Sequence, residues 1–580
     1  MNNFCSTILK SNLKVFLLLA LLVLSAYSPM LHSPFKNIDD EFSIVRNTEI
    51  RDLANIPKFF QSTYFKMEKD YYRPLVPVTY ALEYRFFKLD WFFYNLDNVL
   101  IHLGSAFLVF LICGFLFDHR ARAFAVSGLF AIHPIHWEAV GNVSGRAILL
   151  CAFFVLAAFY FFLRYCRDAR LRDVLLSALC YALALSAKES AGMFIAVAAS
   201  YWLIVARKGW RSLLQLWPFA LVAGGYVVHH RLMHITPPYP WPNASMMALG
   251  VITFLRGVGT YLRLMVMPVH LYFDRARPIY GSFTDPWLWV TLGIYLGLIL
   301  ALLRNLLRMP ALALFCIIWF WLELFPISQV VTSIGAYPMA ISLAEHFMYL
   351  ACIPALILIV AGAAWLVRRE AISGAAMKVA GGGFAIFLYL MLVQQNIYAG
   401  NESLVLMNSL KNDPRNARVE YALAKIYVKT GRFDQALDHF KKAVALNDGN
   451  LFYQVAYGKA LADNGEYLKA VRVYEKVPPF VSTDQMLKEN KAAAYTALAK
   501  QYEEKLRAAP KDADLLFALG VFYGRLERNR EAYDSFAAAW AVDSTRLDAL
   551  FNMGVMADLL GDKEKAEAAF RKEAEARAKK

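Results

Sequence analysis

The feature that most limits what this chain can become is a succession of apolar runs, each suited to a lipid bilayer, that continues to about Tyr398 and then stops. A spanning helix needs roughly 20 mostly apolar residues, because in hydrocarbon every backbone N–H and C=O must be paired within the segment itself. Candidate spans lie at 13–31, 96–117, 123–135, 147–163, 173–187, 190–206, 213–229, 287–303, 311–326, 346–366 and 380–398, which gives about eleven crossings. A composition of 58% hydrophobic and 18% charged residues excludes a single soluble core. From Asn401 onward the sequence turns charged, Ala-rich and helix-prone. The expected domains are therefore a membrane domain over 1–400 and a soluble one over 401–580.

The net charge of +15 sits mostly in short basic clusters between the runs, which is the pattern that orients spans and not the footprint of nucleic acid. With the N-terminus inside, the inner loops carry Arg120 and Arg122, Arg164 to Arg172, Arg207 to Arg211, Arg304 and Arg308, and Arg368 to Lys378. The segment 246–267 is apolar but holds Arg256 and Arg263 on one helical face. It is expected to be an amphipathic or re-entrant element on the outer side, since counting it as a span would move Arg304 and Arg308 outside. An odd number of crossings then puts the C-terminal domain on the outer side, with the long first loop over 32–95. Lys10 and Lys14 before Val15 to Tyr27 look like a signal peptide, but without a small-residue cleavage site before Pro29 the segment is expected to stay as the first span. The 7 cysteines lie in or beside apolar runs, so neither a disulfide framework nor a zinc site is expected.

The tail repeats itself at the period of about 34 residues that marks tetratricopeptide helix pairs. Ala424, Tyr427, Gly431, Ala436, Phe440 and Ala443 recur 34 residues on as Gly458, Leu461, Gly465, Ala470, Tyr474 and Val477. A second register runs through Gly520, Tyr523, Ala532, Phe536 and Ala539, and returns as Gly554, Ala557, Gly561, Ala566 and Phe570. Between them, Pro478 to Pro510 is out of register and is expected to form a shortened helical pair. The fold class is thus all-α: a polytopic membrane protein with a C-terminal tetratricopeptide-repeat solenoid, whose concave face suits a peptide.

Polar residues that do not behave like loop filler gather on the outer side: Asp39-Asp40-Glu41, Arg73, the turn HPIHWEAVGNVSGR over 133–146, Lys188-Glu189, Asp274-Arg275 and Glu345-His346. Charged groups at a membrane boundary are costly to desolvate and mark sites or pathways. His133 and His136 with Glu138 can be drawn as a metal site, but Pro134 between them argues for hydrogen-bonded wall, and no metal ligand is assigned.

The segments IDDEFSIVRN, DYYRPLVPVTYALEY, YNLDNVLIHLGSAFLVF, LFAIHPIHWEAVGNVSGRAILL, ALALSAKESAG and FPISQVVTSIGAYPMAISLAEHFMYL, in that order and followed by repeats, resemble the transmembrane and tetratricopeptide-repeat-containing O-mannosyltransferases. These are members of the C-type glycosyltransferase class. The resemblance implies transfer of a sugar, mannose or another hexose, from a polyprenyl-phosphate donor to Ser or Thr hydroxyls of translocated proteins. The short repeat array and Ala147 after the SGR motif, where the family commonly has an acidic residue, look more like a bacterial relative. That reading places the chain in a bacterial inner membrane, with its N-terminus cytoplasmic and its repeats periplasmic.

Such transfer needs a carboxylate to take the acceptor's proton and cationic groups to hold the departing phosphate. The resemblance assigns the base to the first outer loop, with Asp39 as base and Asp40 assisting. Arg73, Arg146, Lys188 and Arg275 are the expected phosphate ligands, since Arg offers a fork and Lys a point charge. His133, His136, Glu138, Glu189, Glu345 and His346 are secondary candidates. The expected partners are the bilayer, the lipid-linked sugar and an acceptor polypeptide held by the repeats; a divalent metal is left open. The rival readings are a lipid or glycan acceptor, and a non-catalytic membrane-anchored scaffold.

Overall fold

The computed structural model describes residues 9–37, 39–62, 71–233, 241, 243–330, 334–337, 340–478 and 484–578. Ile38 of the IDDE motif, Asp70 of the DYYRPL motif, and 331–333 and 338–339 of the FPISQVVTSIGAYPMA motif lie outside the described residues. The chain divides into two compact units, Met1–Ala422 and Leu423–Lys580. The division falls after the change in composition at Asn401, so the helix Glu402–Asn412 and the start of the helix Ala417–Lys429 belong to the first unit.

Among the described residues of the first unit eight helices are long and apolar enough to cross a membrane: Asn12–Met30, Trp91–Phe117, Val143–Asp168, Trp210–Leu232, Ala244–Val266, Pro286–Asn305, Glu345–Arg368 and Gly374–Ala399. The protein is an integral membrane protein on this evidence. Expected spans at 123–135, 173–187, 190–206 and 311–326 fall instead on the shorter helices Arg120–Ile132, Leu171–Ala187, Phe194–Ile204 and Ala311–Leu324. Local chemistry explains two of these. His133 is extended ahead of Pro134, as the residue before a proline prefers. Pro310 precedes the first residue of Ala311–Leu324, and Pro326 lies just beyond its end. The segment at 246–267, expected to be an amphipathic or re-entrant element, lies on the helix Ala244–Val266, which meets the spanning criterion by length and composition.

Side-chain caps define several of the long helices. Asp90 accepts from the Phe92 amide at 3.0 Å, Asp285 from Trp287 at 2.9 Å and Ser373 from Ala376 at 3.1 Å. Leu214 and Leu221 on Trp210–Leu232, and Leu296 and Leu300 on Pro286–Asn305, are exposed, as suits faces turned to hydrocarbon. The architecture is not purely helical. Three short strands, Ala276–Pro278, Gly335–Tyr337 and Ala340–Ser342, form an antiparallel sheet with the last strand in the middle, and Ala276 pairs with Ser342. The Leu343 amide donates to the Arg275 carbonyl at 2.7 Å, which brings the Asp274-Arg275 turn beside Ala344-Glu345.

The second unit bears out the repeat register. Paired helices run through Phe433–Leu446, Leu451–Asp463 and Tyr467–Glu475, then Ala513–Arg525, Asn529–Val542, Leu547–Leu559 and Lys563–Ala578. Small residues sit where aromatics of the next helix press in: a Cβ on Gly520 would come within 2.6 Å of the Phe536 ring. The out-of-register stretch departs from expectation, since it holds one continuous 25-residue helix, Asp484–Ala508, in place of a shortened pair. No Gly or Pro interrupts 484–508, and Ala, Glu, Lys and Gln favour unbroken helix. Tyr495 on this helix donates its hydroxyl to Glu475 at 2.8 Å, tying it to the preceding repeat.

Candidate active site

Most of the motif-borne charges of the first unit meet, and the two acids of the first loop meet different fates. Asp40 is fully buried. Its Oδ2 accepts from the Lys36 amide at 2.9 Å and its Oδ1 from the Ser144 amide at 2.8 Å. Burial raises its pKa above the ordinary aspartate value despite those two amides. The same contact explains the SGR motif. Ser144 lies in a tight turn where a Cβ on Gly145 would come within 2.1 Å of the Ala139 carbonyl oxygen, so only glycine fits.

The Asp39 side chain, by contrast, is 43% exposed. It lines a cleft with Lys36, Trp137, Asn142, Ser144, Phe273 and Glu402. Its two oxygens accept from Nη2 of Arg418 at 2.8 and 3.0 Å. Nη1 of Arg418 lies 3.5 Å from Asp274 Oδ1. Asp274 is buried, which raises its pKa, and it accepts from Asn416 Nδ2 at 3.1 Å.

Behind the cleft wall lies a second carboxylate group. Trp137 Nε1 donates to Glu345 Oε2 at 2.6 Å, and Glu345 Oε1 accepts from Arg275 Nη2 at 2.7 Å and from the Tyr272 amide at 3.1 Å. Arg275 stacks over Tyr272 at 4.0 Å, and its buried Nε finds no partner among the described residues. Glu138 is buried and holds His346 twice, with Oε2 on the backbone amide at 3.1 Å and Oε1 facing Nδ1 at 3.0 Å. The His346 ring packs on Phe347 at 4.5 Å, and Lys188 Nζ lies 5.8 Å over that same Phe347 ring. Burial and the neighbouring Arg73 charge draw the Lys188 ammonium down to about 8. Arg73 forks onto both oxygens of Glu189 at 3.1 and 2.8 Å.

Two candidates are tied up elsewhere. All five N–H groups of the buried Arg146 guanidinium have protein acceptors: Asn98 Oδ1 at 2.5 Å, Thr79 Oγ1 and Asp97 Oδ2 at 3.2 Å, Glu83 Oε1 at 2.8 Å and the Tyr94 carbonyl at 2.9 Å. No N–H is left to offer a phosphate. His133 accepts from the Ile135 amide at 3.2 Å and faces the Met265 carbonyl at 3.1 Å, which occupies both ring nitrogens. His136 faces Cys352 Sγ at 3.4 Å. Among the described residues no group of three or more His, Cys, Asp or Glu is placed to hold a metal ion. Sequence reasoning missed Arg418, because it falls at the start of the first repeat helix and reads as repeat surface. It also missed Lys36 and Glu402, which carry no motif.

The fold and site together define a class: a multispanning helical membrane protein with a charged cleft beyond its first span, followed by tetratricopeptide repeats. The profile of the dolichyl-phosphate-mannose-protein mannosyltransferase family matches residues 74–233, and tetratricopeptide-repeat profiles match 417–450 and 547–579. The chain is similar to "Protein O-mannosyl-transferase TMTC3" of Homo sapiens, 33% identical over 26% of this chain and 17% of that protein. It is also similar to "Protein O-mannosyl-transferase F38B6.6" of Caenorhabditis elegans, 29% identical over 43% of this chain and 37% of that one. "Protein O-mannosyl-transferase Tmtc3" of Drosophila melanogaster is 23% identical over 75% of this chain and 55% of its own length. The chain thus spans about half or less of these relatives. All three are animal proteins, so the expectation of a bacterial relative finds no support in them.

Proposed function

We propose that the chain is a glycosyltransferase that moves mannose from a polyprenyl-phosphate-linked donor to Ser or Thr hydroxyls of a polypeptide, with Asp39 as the general base. Asp39 takes the hydroxyl proton as the acceptor oxygen attacks the anomeric carbon. The bond from that carbon to the phosphate oxygen breaks, and polyprenyl phosphate leaves with its charge held by cations. The observation that carries this reading is the contrast within the acid pair: Asp39 opens onto the cleft, whereas Asp40 is buried and capped by two amides. Asp40 is accordingly a residue that pins the SGR turn to the first loop. Lys188, Arg73 and Arg275 form the phosphate set, and Arg146 drops out of it because its N–H groups are spent. The similarity to named protein O-mannosyl-transferases supports mannose and a protein acceptor, and the repeats are the part suited to holding that acceptor. The site faces the non-cytoplasmic side on this reading, with the N-terminus inside.

Full-length protein in detergent, given dolichyl-phosphate mannose and a Ser/Thr-rich protein, is expected to produce a hexose mass on the acceptor. Asp39→Asn should lower the rate by about 10²- to 10⁴-fold, the worth of a general base, with an unchanged thermal transition. Full activity in that variant sinks the assignment of the base.

A further inference from the structure

The loop that carries Asp39 is tied along its length to one downstream segment of the same compact unit. Lys36 Nζ donates to the Ala399 carbonyl at 2.5 Å. Asn37 donates its amide and its Nδ2 to the two oxygens of Glu402 at 2.7 and 2.6 Å. Asp39 completes the series by taking Arg418 on both oxygens. The first two contacts hold residues just before the acid pair; the third falls on the reacting group itself.

Arg418 stands between two carboxylates, Asp39 and Asp274. Before the reaction that trio carries a net charge of minus one, and after Asp39 has taken a proton it is neutral, with the guanidinium still paired to Asp274. An arginine with Asp39 as its sole partner would lose that partner on proton transfer and so oppose the step. Two carboxylates without the arginine would repel each other and hold one of them protonated. Resting on the reading of Asp39 as base, we infer that Arg418 is a positioning residue: shared between Asp39 and Asp274, its guanidinium orients the base carboxylate toward the acceptor hydroxyl.

Other charged groups near this trio are themselves engaged. Asp40 is capped by two amides, Lys36 is bound to Ala399 and Ser33, Glu402 is bound to Asn37, and Glu138, which acts on Asp274, is paired with His346. Asn416 fixes Asp274 from the same segment that supplies Arg418, so the arginine and its second partner are set by neighbouring residues.

The test is a double-mutant cycle on the chain, reading kcat and KM for transfer from dolichyl-phosphate mannose to a Ser/Thr-rich protein. Arg418→Met should lower kcat about tenfold or more while KM for the donor stays within about twofold, because it disturbs the base and not donor binding. Arg418→Lys should recover part of the rate. In an Asp39→Asn background Arg418→Met should have little further effect, since the arginine acts through that carboxylate. Parent kcat in Arg418→Met, or a full additional loss in the Asp39→Asn background, overturns the inference. If Arg418→Met does not fold, the same cycle with Arg418→Lys decides. Asp39→Asn with full transfer activity would instead overturn the base assignment.

Discussion

Arg146 and Arg418 are both arginines set between acidic side chains in the same compact unit, and they are opposites in how those charges are used. Arg146 is fully buried, spends every N–H on a protein acceptor and lies over the Tyr80 ring at 5.4 Å. The Arg418 side chain is 35% exposed and divides itself between one near and one far carboxylate, beside a cleft. A saturated, buried ion has no freedom left for chemistry, and its energetic role appears on removal, when its partners are stranded. A half-open one contributes little to folding but can answer a change of charge beside it. The lesson concerns motifs: the SGR arginine belongs to the most specific segment of the sequence, yet it serves the scaffold, whereas the arginine on the proposed base carries no motif at all.

That comparison breaks first at Arg146. Arg146→Met should strand Glu83 and Asn98 in the interior and cost about 3–5 kcal/mol, the usual effect of removing one partner of a buried pair. In detergent this should read as loss of monodisperse protein or a large fall in the thermal midpoint. A variant that is stable but fails to bind donor would return Arg146 to the phosphate site. The next effect in size falls on Asp40. In Asp40→Asn the amide NH₂ must face one of the two backbone N–H groups that the carboxylate accepts, which should cost about 1–3 kcal/mol for an unsatisfied buried donor. Transfer per folded molecule should remain within a few-fold of the parent. A loss of turnover as deep as that of Asp39→Asn at unchanged stability would make Asp40 the base, and the contrast within the acid pair would reverse.

How much of this was legible beforehand follows the range of the signals. The repeats were, because their small and aromatic residues recur in register and the packing of Gly520 under Phe536 is local. The convergence of Asp39, Trp137, Glu138, Glu345 and His346 was legible as shared sidedness. The difference between Asp39 and Asp40 in burial was not, since it depends on the Ser144 amide, over a hundred residues away. Nor were the partners of Arg146, which come from Glu83 on one helix and Asp97 and Asn98 on another. The shortness of four of the expected spans was not legible, because apolar content alone does not register where a helix ends, as it does at Pro134 and Pro310. The small sheet escaped because three-residue strands leave no periodicity to detect.

The smallest expected effect lies between the two extremes, at Lys188. Its ammonium is partly buried, near Arg73 and over the Phe347 ring, and titrates near pH 8, well below the ordinary lysine value of 10.5. Below pH 8 the group is charged and attracts an anionic donor; above it the free site loses that charge first. A bound phosphate raises the lysine's proton affinity, so donor binding takes up a proton, and affinity must fall as pH rises beyond about 8. The KM for dolichyl-phosphate mannose should therefore rise several-fold, roughly up to tenfold per pH unit above that point, while kcat for bound donor changes less. Lys188→Arg should flatten the dependence, because a guanidinium keeps its charge throughout the range. A KM that stays level from pH 7 to 10 in the parent would show that Lys188, like Arg146, serves the scaffold. The phosphate set would then shrink to Arg73 and Arg275, and the open charges beside the cleft would be Asp39 and Arg418.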